Sequence, residues 1–304
     1  MHPENSKRLS SLGNLPVTPL ENGEEFLELF HNPLYISFIK ESCQYGGHID
    51  NDTIVSPGSY KAAIRAVAAT IMASENGDFA LTRPPGHHAH VERSSGFCLF
   101  NNVAIAAQYQ ANQGKKVLIF DFDGHLGDGT VKFFYESNQV MYWSIHQYPA
   151  FPGGGDADEI GQGKGKGYTM NIPLPPGSGD EIFMDAFTSF LPVAKEFNPD
   201  IVAISAGFDS HQYDLLLDLR LTVNSFYKIG RALAENFTHI FATLEGGYNI
   251  EFFPKCLYNF LDGINKNEMR YSERETDSMI QTFYEYEGRK AIVSKELSRY
   301  WKSI

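Results

Sequence analysis

The 304-residue chain has few cysteines, and its apolar runs are short. Its three cysteines, Cys43, Cys98 and Cys256, include no CxxC pair. A sparse, odd set does not build a disulfide framework and is typical of a reducing cytosol. Every apolar run stays well below the roughly 18 residues of a membrane-spanning helix, and "MHPENSKRLSS" at the N-terminus does not resemble a secretory signal. We therefore predict a cytoplasmic protein without a membrane partner.

Clustered basic charge is also missing. The formal net charge is −12, and the sequence contains no run of lysine and arginine. An acidic protein without a basic patch lacks the electrostatic attraction that holds nucleic acid, so we expect no direct nucleic-acid partner. The same charge leaves a basic substrate possible. The chain is 42% hydrophobic and 20% charged, which is ordinary for a globular protein with a sizeable core.

Short β-rich segments alternate with helical segments along most of the chain. This order predicts an α/β fold with a parallel sheet, and the nearly continuous apolar strands indicate helices on both faces. We expect one domain over residues 1–304, in which the more polar residues from about 264 to 304 form a C-terminal extension packed on it. The predicted strands are 78–82, 116–121, 140–146, 200–207 and 239–247, and the predicted helices are 58–74, 101–113, 180–197 and 223–237.

The chemically unusual residues come directly after predicted strands. "RPPGHHAH", "DFDGH", "FDSH" and "EGGY" each follow a different one. In parallel α/β sheets, ligands bind in the crevice outside the carboxyl ends of the strands. The four segments are therefore predicted to converge on one site.

A metal site is the first candidate in that crevice. Side chains at i and i+2 of an extended segment point the same way, so Asp123 and His125 can reach one centre. Asp209 would supply a third ligand. Two carboxylates and one imidazole leave an open position, as in catalytic sites, and suit Zn²⁺ or Fe²⁺. The alternative is that Asp121 and Asp123 only cap the following turn or helix.

The adjacent histidines His87 and His88 are candidates for proton transfer. Imidazole titrates near neutral pH, and a Pro-Pro-Gly turn is a poor place for two core residues. Each ring needs an orienting partner, and Asp121 and Asp128 are the remaining carboxylates of "DFDGHLGDGT". Tyr248 could donate a hydrogen bond to a developing oxyanion. It could equally be a tyrosine that packs beside a glycine turn.

Two phenylalanines complete the predicted site. Phe97 and Phe151 lie in loops rich in glycine and proline, where they could line a narrow channel, although core packing is an alternative. Together, the metal ligands, the histidine pair and the tyrosine indicate metal-assisted hydrolysis of an amide or a similar acyl compound.

The motifs behind this prediction resemble those of the histone deacetylase family, in its class II-like and bacterial branch. They are "HPENSKRL", "SPGSYKAA", "RPPGHHA", "GFCLFNNVAIAA", "DFDGHLGDGT", "SAGFDSH" and "EGGYN", which occur in order between about residues 2 and 263. The resemblance implies the arginase–deacetylase fold, with a central parallel sheet of about eight strands. It also implies deacetylation of an acyl-lysine or of an acetylpolyamine.

The resemblance implies a role for each candidate residue. His88 would be the main general base and acid, with His87 as its electrostatic partner. Asp121 would pair with His87 and Asp128 with His88, while Tyr248 would donate to the oxyanion. The implied zinc ligands are Asp123, His125 and Asp209. The implied tunnel residues are Gly96, Phe97 and Phe151. A structural K⁺ or Na⁺ is implied near Asp121, Asp123, His125 and Ser144.

The sequence departs from the family pattern in three places. The family usually has a second histidine where this chain has Leu126, so we expect an intact metal site with different hydrogen bonding around it. A strand usually precedes the "HPE" motif, and we expect it to be missing here. The loop after Asp209 lacks the usual Asp-Pro. Polyamine-selective relatives tend to have a glutamate where Leu216 aligns, so an apolar residue favours an acyl-lysine substrate.

Three other functions remain as alternatives. The first is an acetylpolyamine amidohydrolase. The second is a ureohydrolase of the same fold, which would need additional ligands for two Mn²⁺ ions. The third is a binding protein that keeps the fold without the activity, for which Leu126 and the missing strand are the arguments.

Overall fold

The computed structural model describes residues 2–304 of the chain. The strands are β1 (Gly47–His48), β2 (Ile54–Val55), β3 (Phe79–Ala80), β4 (Val117–Asp121), β5 (Val140–Gln147), β6 (Thr169–Leu174), β7 (Ile201–Ala206) and β8 (Ile240–Leu244). The α-helices are α1 (Lys7–Ser10), α2 (Pro33–Tyr45), α3 (Ser59–Asn76), α4 (Asn102–Asn112), α5 (Asp128–Phe134), α6 (Asp180–Phe197), α7 (Val223–Asn236), α8 (Phe253–Ile264) and α9 (Ile280–Leu297). Two 3-10 helices cover Glu24–Leu29 and Gly163–Gly165.

A parallel sheet forms the centre of the fold. Its order is β3-β8-β7-β4-β5-β6, and all its strand pairs are parallel, while β1 and β2 form a separate antiparallel pair. The predicted α/β class is confirmed. Over residues 2–304 the central sheet has six strands, fewer than the eight or so that the family resemblance implied.

Strand β6 was missed by the sequence analysis. It covers "TMNIPL" and pairs with β5 at one edge of the sheet. Its polar residues, its proline at position 173 and the glycine-rich segment before it all lower the strand signal. An edge strand tolerates proline because its outer side has no neighbouring strand to receive an N–H donor.

The four predicted helices form close to their expected bounds. Helix α3 ends where Gly77 adopts a left-handed conformation with φ of 78°, which stops the helix. Helix α4 begins after Asn101, whose side chain accepts a hydrogen bond from the backbone N–H of Ala104. Both ends therefore come from local chemistry that is readable in the sequence.

The core lies on both faces of the sheet. Successive strand residues point to opposite faces, so Phe120 of β4 packs in one apolar cluster and Ile119 in the other. On the first face the ring of Phe120 lies 4.3 Å from Trp143 and 5.4 Å from Phe187, measured between centroids. All residues of β4 are buried. Burial on both faces explains why the strand reads as a continuous apolar run.

The C-terminal residues run along the β6 edge. Helix α9 contacts β6, and the Trp301 indole donates a 2.6 Å hydrogen bond to the carbonyl of Gly167. The buried Tyr286 donates to Asp185 of α6 at 2.6 Å. No helix among residues 2–304 is long and apolar enough to cross a membrane. The three cysteines are buried and unpaired with one another.

Candidate active site

The predicted site residues gather at the carboxyl edge of the sheet. Asp121, the last residue of β4, lies in register with Ser144 of β5 on one side and with Ser205 of β7 on the other. The loops that follow these strands therefore begin at the same level. This register brings segments separated by more than a hundred residues in sequence into one crevice.

Asp123, His125 and Asp209 come together as a potential metal site. They are the one group of three suitable side chains found over residues 2–304, with ligand atoms all within 4.8 Å of one another. The His125 Nδ1 atom lies 3.2 Å from Asp123 Oδ1 and 3.0 Å from Asp209 Oδ2. Both carboxylates are buried. The donor set fits Zn²⁺ because it offers two carboxylate oxygens and one imidazole nitrogen, which are ligands that zinc prefers.

Neighbouring backbone groups hold the two carboxylates. Gly246 N–H donates to Asp123 at 2.7 Å, and Gly124 N–H donates to Asp209 at 2.8 Å. A Cβ atom at position 246 would collide with both carboxylates, so only glycine permits this approach. Asp123 also accepts a 2.9 Å bond from the His125 N–H. Asp123 therefore caps the turn, as the sequence left open, and also belongs to the potential metal site.

The charges of the triad depend on one another. Burial raises the pKa of Asp209 to about 6, with the Asp123 carboxylate as the next contribution. Burial alone would lower the pKa of His125, but the carboxylates of Asp209 and Asp123 raise it to about 10. Two buried carboxylates side by side therefore need a cation, which is His125 itself or a metal ion that replaces its proton.

The histidine pair has the carboxylate partners that the sequence analysis assigned. His87 Nδ1 lies 3.1 Å from Asp121, and His88 Nδ1 lies 2.8 Å from Asp128. The two rings are tilted against each other with centroids 4.0 Å apart. Both histidines are buried.

The surroundings of the two histidines shift their pKa values in opposite directions. Burial would lower the pKa of His87, but Asp121, Asp123 and Glu245 raise it well above its usual value. For His88, burial and the positive charge of His87 lower the pKa to about 4. The surrounding carboxylates therefore favour the charged form of His87, while burial and the charge of His87 favour the neutral form of His88.

Two of the predicted tunnel residues, Phe151 and Gly96, lie next to His88. The ring of Phe151 packs edge-on against His88 at 5.1 Å between centroids, and Phe151 is 46% exposed. Phe97 packs edge-on against Tyr248 at 5.7 Å. Gly96 has φ of 52°, and a Cβ there would collide with the His88 ring. Phe151 and Gly96 thus lie beside His88, and Phe97 lies beside Tyr248.

Tyr248 reaches the site from the irregular segment after β8. Burial raises the pKa of its phenol well above the usual value, so the hydroxyl keeps its proton and can donate it to a hydrogen bond. The guanidinium of Arg8 lies over its ring at 4.8 Å from the centroid.

Leu216 lies at the surface, while its neighbour Leu217 packs against the segment between Asp123 and His125. Leu216 is 40% exposed, in keeping with a place at the rim. The side chain of Leu217 packs on the backbone of Gly124, between Asp123 and His125. The sequence analysis missed Leu217, because the register of this loop cannot be read from the pattern of leucines.

Leu126 is buried below the loop that carries Phe151. It is 3% exposed, and its Cδ2 atom lies 3.0 Å from where a Cβ of Gly155 would be. His146 supports the same loop by a 3.1 Å hydrogen bond between its Nε2 atom and the Gly155 carbonyl. Leu126 thus makes an apolar contact under the loop that carries Phe151, where a histidine would need a polar partner.

A buried ionic network was also missed. Arg8 donates to the carbonyls of Glu245 and Gly247, on either side of the glycine turn before Tyr248. Glu4 pairs with both Arg8 and Arg83, which joins the N-terminal segment to the histidine turn. The signal was present in "HPENSKRL" and "EGGY", but nothing in the spacing shows that these two segments meet.

Two further partners of the histidine turn were missed. The buried Glu245 accepts bonds from the N–H groups of Gly86 at 2.6 Å and His87 at 3.1 Å. His90 lies 2.7 Å from the second oxygen of Asp128, so this carboxylate serves two imidazoles. The only available signal for His90 was a third histidine in "HHAH".

Comparison with known proteins identifies the family. The histone deacetylase domain model matches residues 2–264. The chain is 41% identical over 242 residues to a probable deacetylase of Archaeoglobus fulgidus, covering 75% of this chain and 67% of the relative. It is 36% identical over 287 residues to a probable deacetylase of Methanothermobacter thermautotrophicus, covering 88% and 87%.

Solved structures agree with this assignment. The HDA15 HD domain superimposes with a TM-score of 0.89 at 28% identity, over 99% of this chain and 89% of that one. An acetylpolyamine aminohydrolase from Burkholderia pseudomallei gives 0.81 at 27% identity, over 87% and 92%. The predicted family and fold are therefore confirmed, and this chain belongs to the histone deacetylase family of hydrolases.

Proposed function

We propose that the chain is a zinc-dependent deacylase that removes an acyl group, such as acetyl, from the side-chain amine of lysine. The observation that carries the proposal is the geometry of two buried imidazoles, His87 and His88, each beside its own carboxylate and close to a buried Asp-His-Asp triad. Zn²⁺ held by Asp123, His125 and Asp209 would polarise the acyl carbonyl and activate a water molecule.

His88 moves the protons in the proposed reaction. Its Nδ1 atom bonds to Asp128, so Nε2 is left to take a proton from the attacking water. The same atom later donates that proton to the leaving amine. Asp121, 3.1 Å away, favours the charged form of His87, and this positive charge would stabilise the negative charge that develops on the substrate.

Tyr248 would stabilise the oxyanion, and the two phenylalanines would bind the substrate. The protonated phenol donates a hydrogen bond to the carbonyl oxygen as it becomes an oxyanion. Phe97 and Phe151 hold the alkyl stem of the acyl-lysine and exclude water, with Gly96 leaving space next to His88.

We also propose a structural K⁺ or Na⁺ behind the zinc ligands. Asp121 and Ser144 lie side by side in the register of β4 and β5, and the chain turns sharply through Asp123 and His125. Oxygen atoms from these residues match the ligands that hard cations prefer. The cation would steady the turn that carries the triad.

An acyl-lysine is favoured over a small acetylated amine because Leu216 offers no negative charge to a second ammonium group at the rim. The acetylpolyamine aminohydrolase neighbour makes N-acetylated amines the second candidate. We further propose that residues 1–304 form one domain and that the enzyme acts in the cytoplasm, where buried free thiols such as Cys98 persist.

The test compares acetate release from an acetyl-lysine peptide and from N-acetylputrescine by zinc-loaded protein. We expect the peptide to be hydrolysed with the higher kcat/KM. His88→Ala should lower kcat by at least about a hundredfold while the zinc content stays unchanged. Zinc-loaded protein that hydrolyses no acyl substrate would support the non-catalytic alternative instead, and loss of zinc in His88→Ala would contradict the role given to His88.

A further inference from the structure

The segment that carries Tyr248 has no regular secondary structure, so side chains must hold its backbone groups. Residues 245–249 lie between the end of β8 and the start of α8. Buried backbone N–H groups outside helices and sheets need other acceptors. Asp123 accepts from Gly246, and Arg8 donates to the carbonyls of Glu245 and Gly247. The N–H groups of Tyr248 and Asn249 remain to be accounted for.

Asp214 supplies the missing acceptor. Its Oδ2 atom accepts from the Tyr248 N–H at 2.6 Å and from the Asn249 N–H at 3.0 Å. Its other oxygen, Oδ1, accepts from the N–H of Leu216 at 3.3 Å. Asp214 is 5% exposed, and burial raises its pKa although these backbone bonds oppose the shift. One carboxylate thus joins the rim loop to the segment of the proposed oxyanion donor.

A second bond fixes the same two segments together. The Asn249 side-chain amide donates to the carbonyl of Tyr213 at 2.6 Å. The rim loop also packs on the metal ligands through Leu217 and the backbone of Gly124. The position of Tyr248 relative to the triad therefore depends on the loop that follows Asp209, with Asp214 as the link.

We propose that Asp214 is a positioning residue that sets the place of the Tyr248 hydroxyl. The inference rests on the proposed hydrolase function. Three N–H donors converge on Asp214, two on Oδ2 and one on Oδ1. An asparagine offers one oxygen and no negative charge, so its NH₂ group faces either the N–H groups of Tyr248 and Asn249 or that of Leu216, and the link between the two segments weakens in both cases. The backbone of Tyr248 would then shift, and its hydroxyl would lose the alignment that an oxyanion donor needs. A ground-state substrate held by the tunnel would be affected less.

The experiment is a double-mutant cycle with Asp214→Asn and Tyr248→Phe, using zinc-loaded full-length chain and an acetyl-lysine peptide. We expect Asp214→Asn to lower kcat by about ten- to a hundredfold, the effect of misplacing one oxyanion donor, with a smaller change in KM and unchanged zinc content. In the Tyr248→Phe background the same substitution should cost less than about threefold, because the hydroxyl it positions is gone.

Asp218→Asn is the matched control, since Asp218 lies four positions along the same loop and is exposed; it should leave kcat unchanged. Asp214→Ser repeats the measurement with a smaller side chain in case the asparagine variant does not fold. Equal losses in the wild-type and Tyr248→Phe backgrounds, or full kcat in Asp214→Asn, would overturn the inference and leave the proposed function standing. Wild-type protein without activity would overturn both.

Discussion

Replacing Asp128 by asparagine should remove most of the activity without removing the metal. Asp128 accepts from His88 at 2.8 Å and from His90 at 2.7 Å, and Oδ1 fixes which ring nitrogen of His88 faces the substrate. Hydrogen bonds to charged groups are each worth about 1.5–3 kcal/mol. Losing the one to His88 as its ring becomes protonated raises the barrier by a similar amount, which corresponds to about a ten- to a hundredfold fall in kcat.

The assay is kcat on an acetyl-lysine peptide, together with zinc content for Asp128→Asn and for an exposed control, Asp158→Asn. The control should behave as the wild type. If Asp128→Asn kept full kcat, His88 would not depend on Asp128 for its orientation. If Asp128→Asn lost zinc, the Asp128 carboxylate would belong to the metal site, although its side-chain partners in the structure are His88 and His90.

The free energy of unfolding gives a second test of the interactions of Asp128. Burial alone would raise the pKa of Asp128, but His88 and His90 lower it below the usual value. A carboxyl with a lower pKa in the folded state stabilises the fold above its unfolded pKa, about 4, and this contribution disappears as the pH falls further. The difference in unfolding free energy between wild type and Asp128→Asn should therefore be larger at pH 7 than below pH 4, as measured by urea unfolding.

Two further outcomes follow from the geometry. Gly96→Ala should destabilise the fold by about 1–3 kcal/mol and lower activity, because the new Cβ would meet the His88 ring at a positive φ; an unchanged urea midpoint would contradict this contact. Zn²⁺ at about a thousand times its Kd should stabilise the protein by about 4 kcal/mol, which is measured as a higher Tm. Asp209→Asn should lose most of this gain. A wild-type Tm that does not respond to zinc would argue against the triad as a metal site.

The sequence was sufficient for the architecture because the signals were local. Continuous apolar runs such as 116–121 specify strands buried on both faces, and the helical periods between them specify the crossovers. Strand β6 was missed because its identity depends on pairing with β5 rather than on its own composition. The family resemblance implied about eight strands, whereas the central sheet over residues 2–304 has six.

The sequence also identified the residues of the candidate site. Asp123 and His125 are two positions apart, and the two histidines of "RPPGHH" stand out in any reading. Rare residue types directly after strands were enough to propose both the triad and the histidine pair. Their assigned carboxylates are the ones that the structure places beside them.

Only the tertiary structure decided how the site is held and charged. Asp214, Arg8 and Glu245 are ordinary residues in the sequence, and they become important because distant loops fold against each other. The opposite shifts in the pKa values of His87 and His88 arise from burial and from neighbours that are distant in the sequence. The sequence by itself determined which groups are available for chemistry, because residue types and strand periods are local properties. The pKa of each group and the position of Tyr248 depend on packing and electrostatics, which exist only in the folded chain.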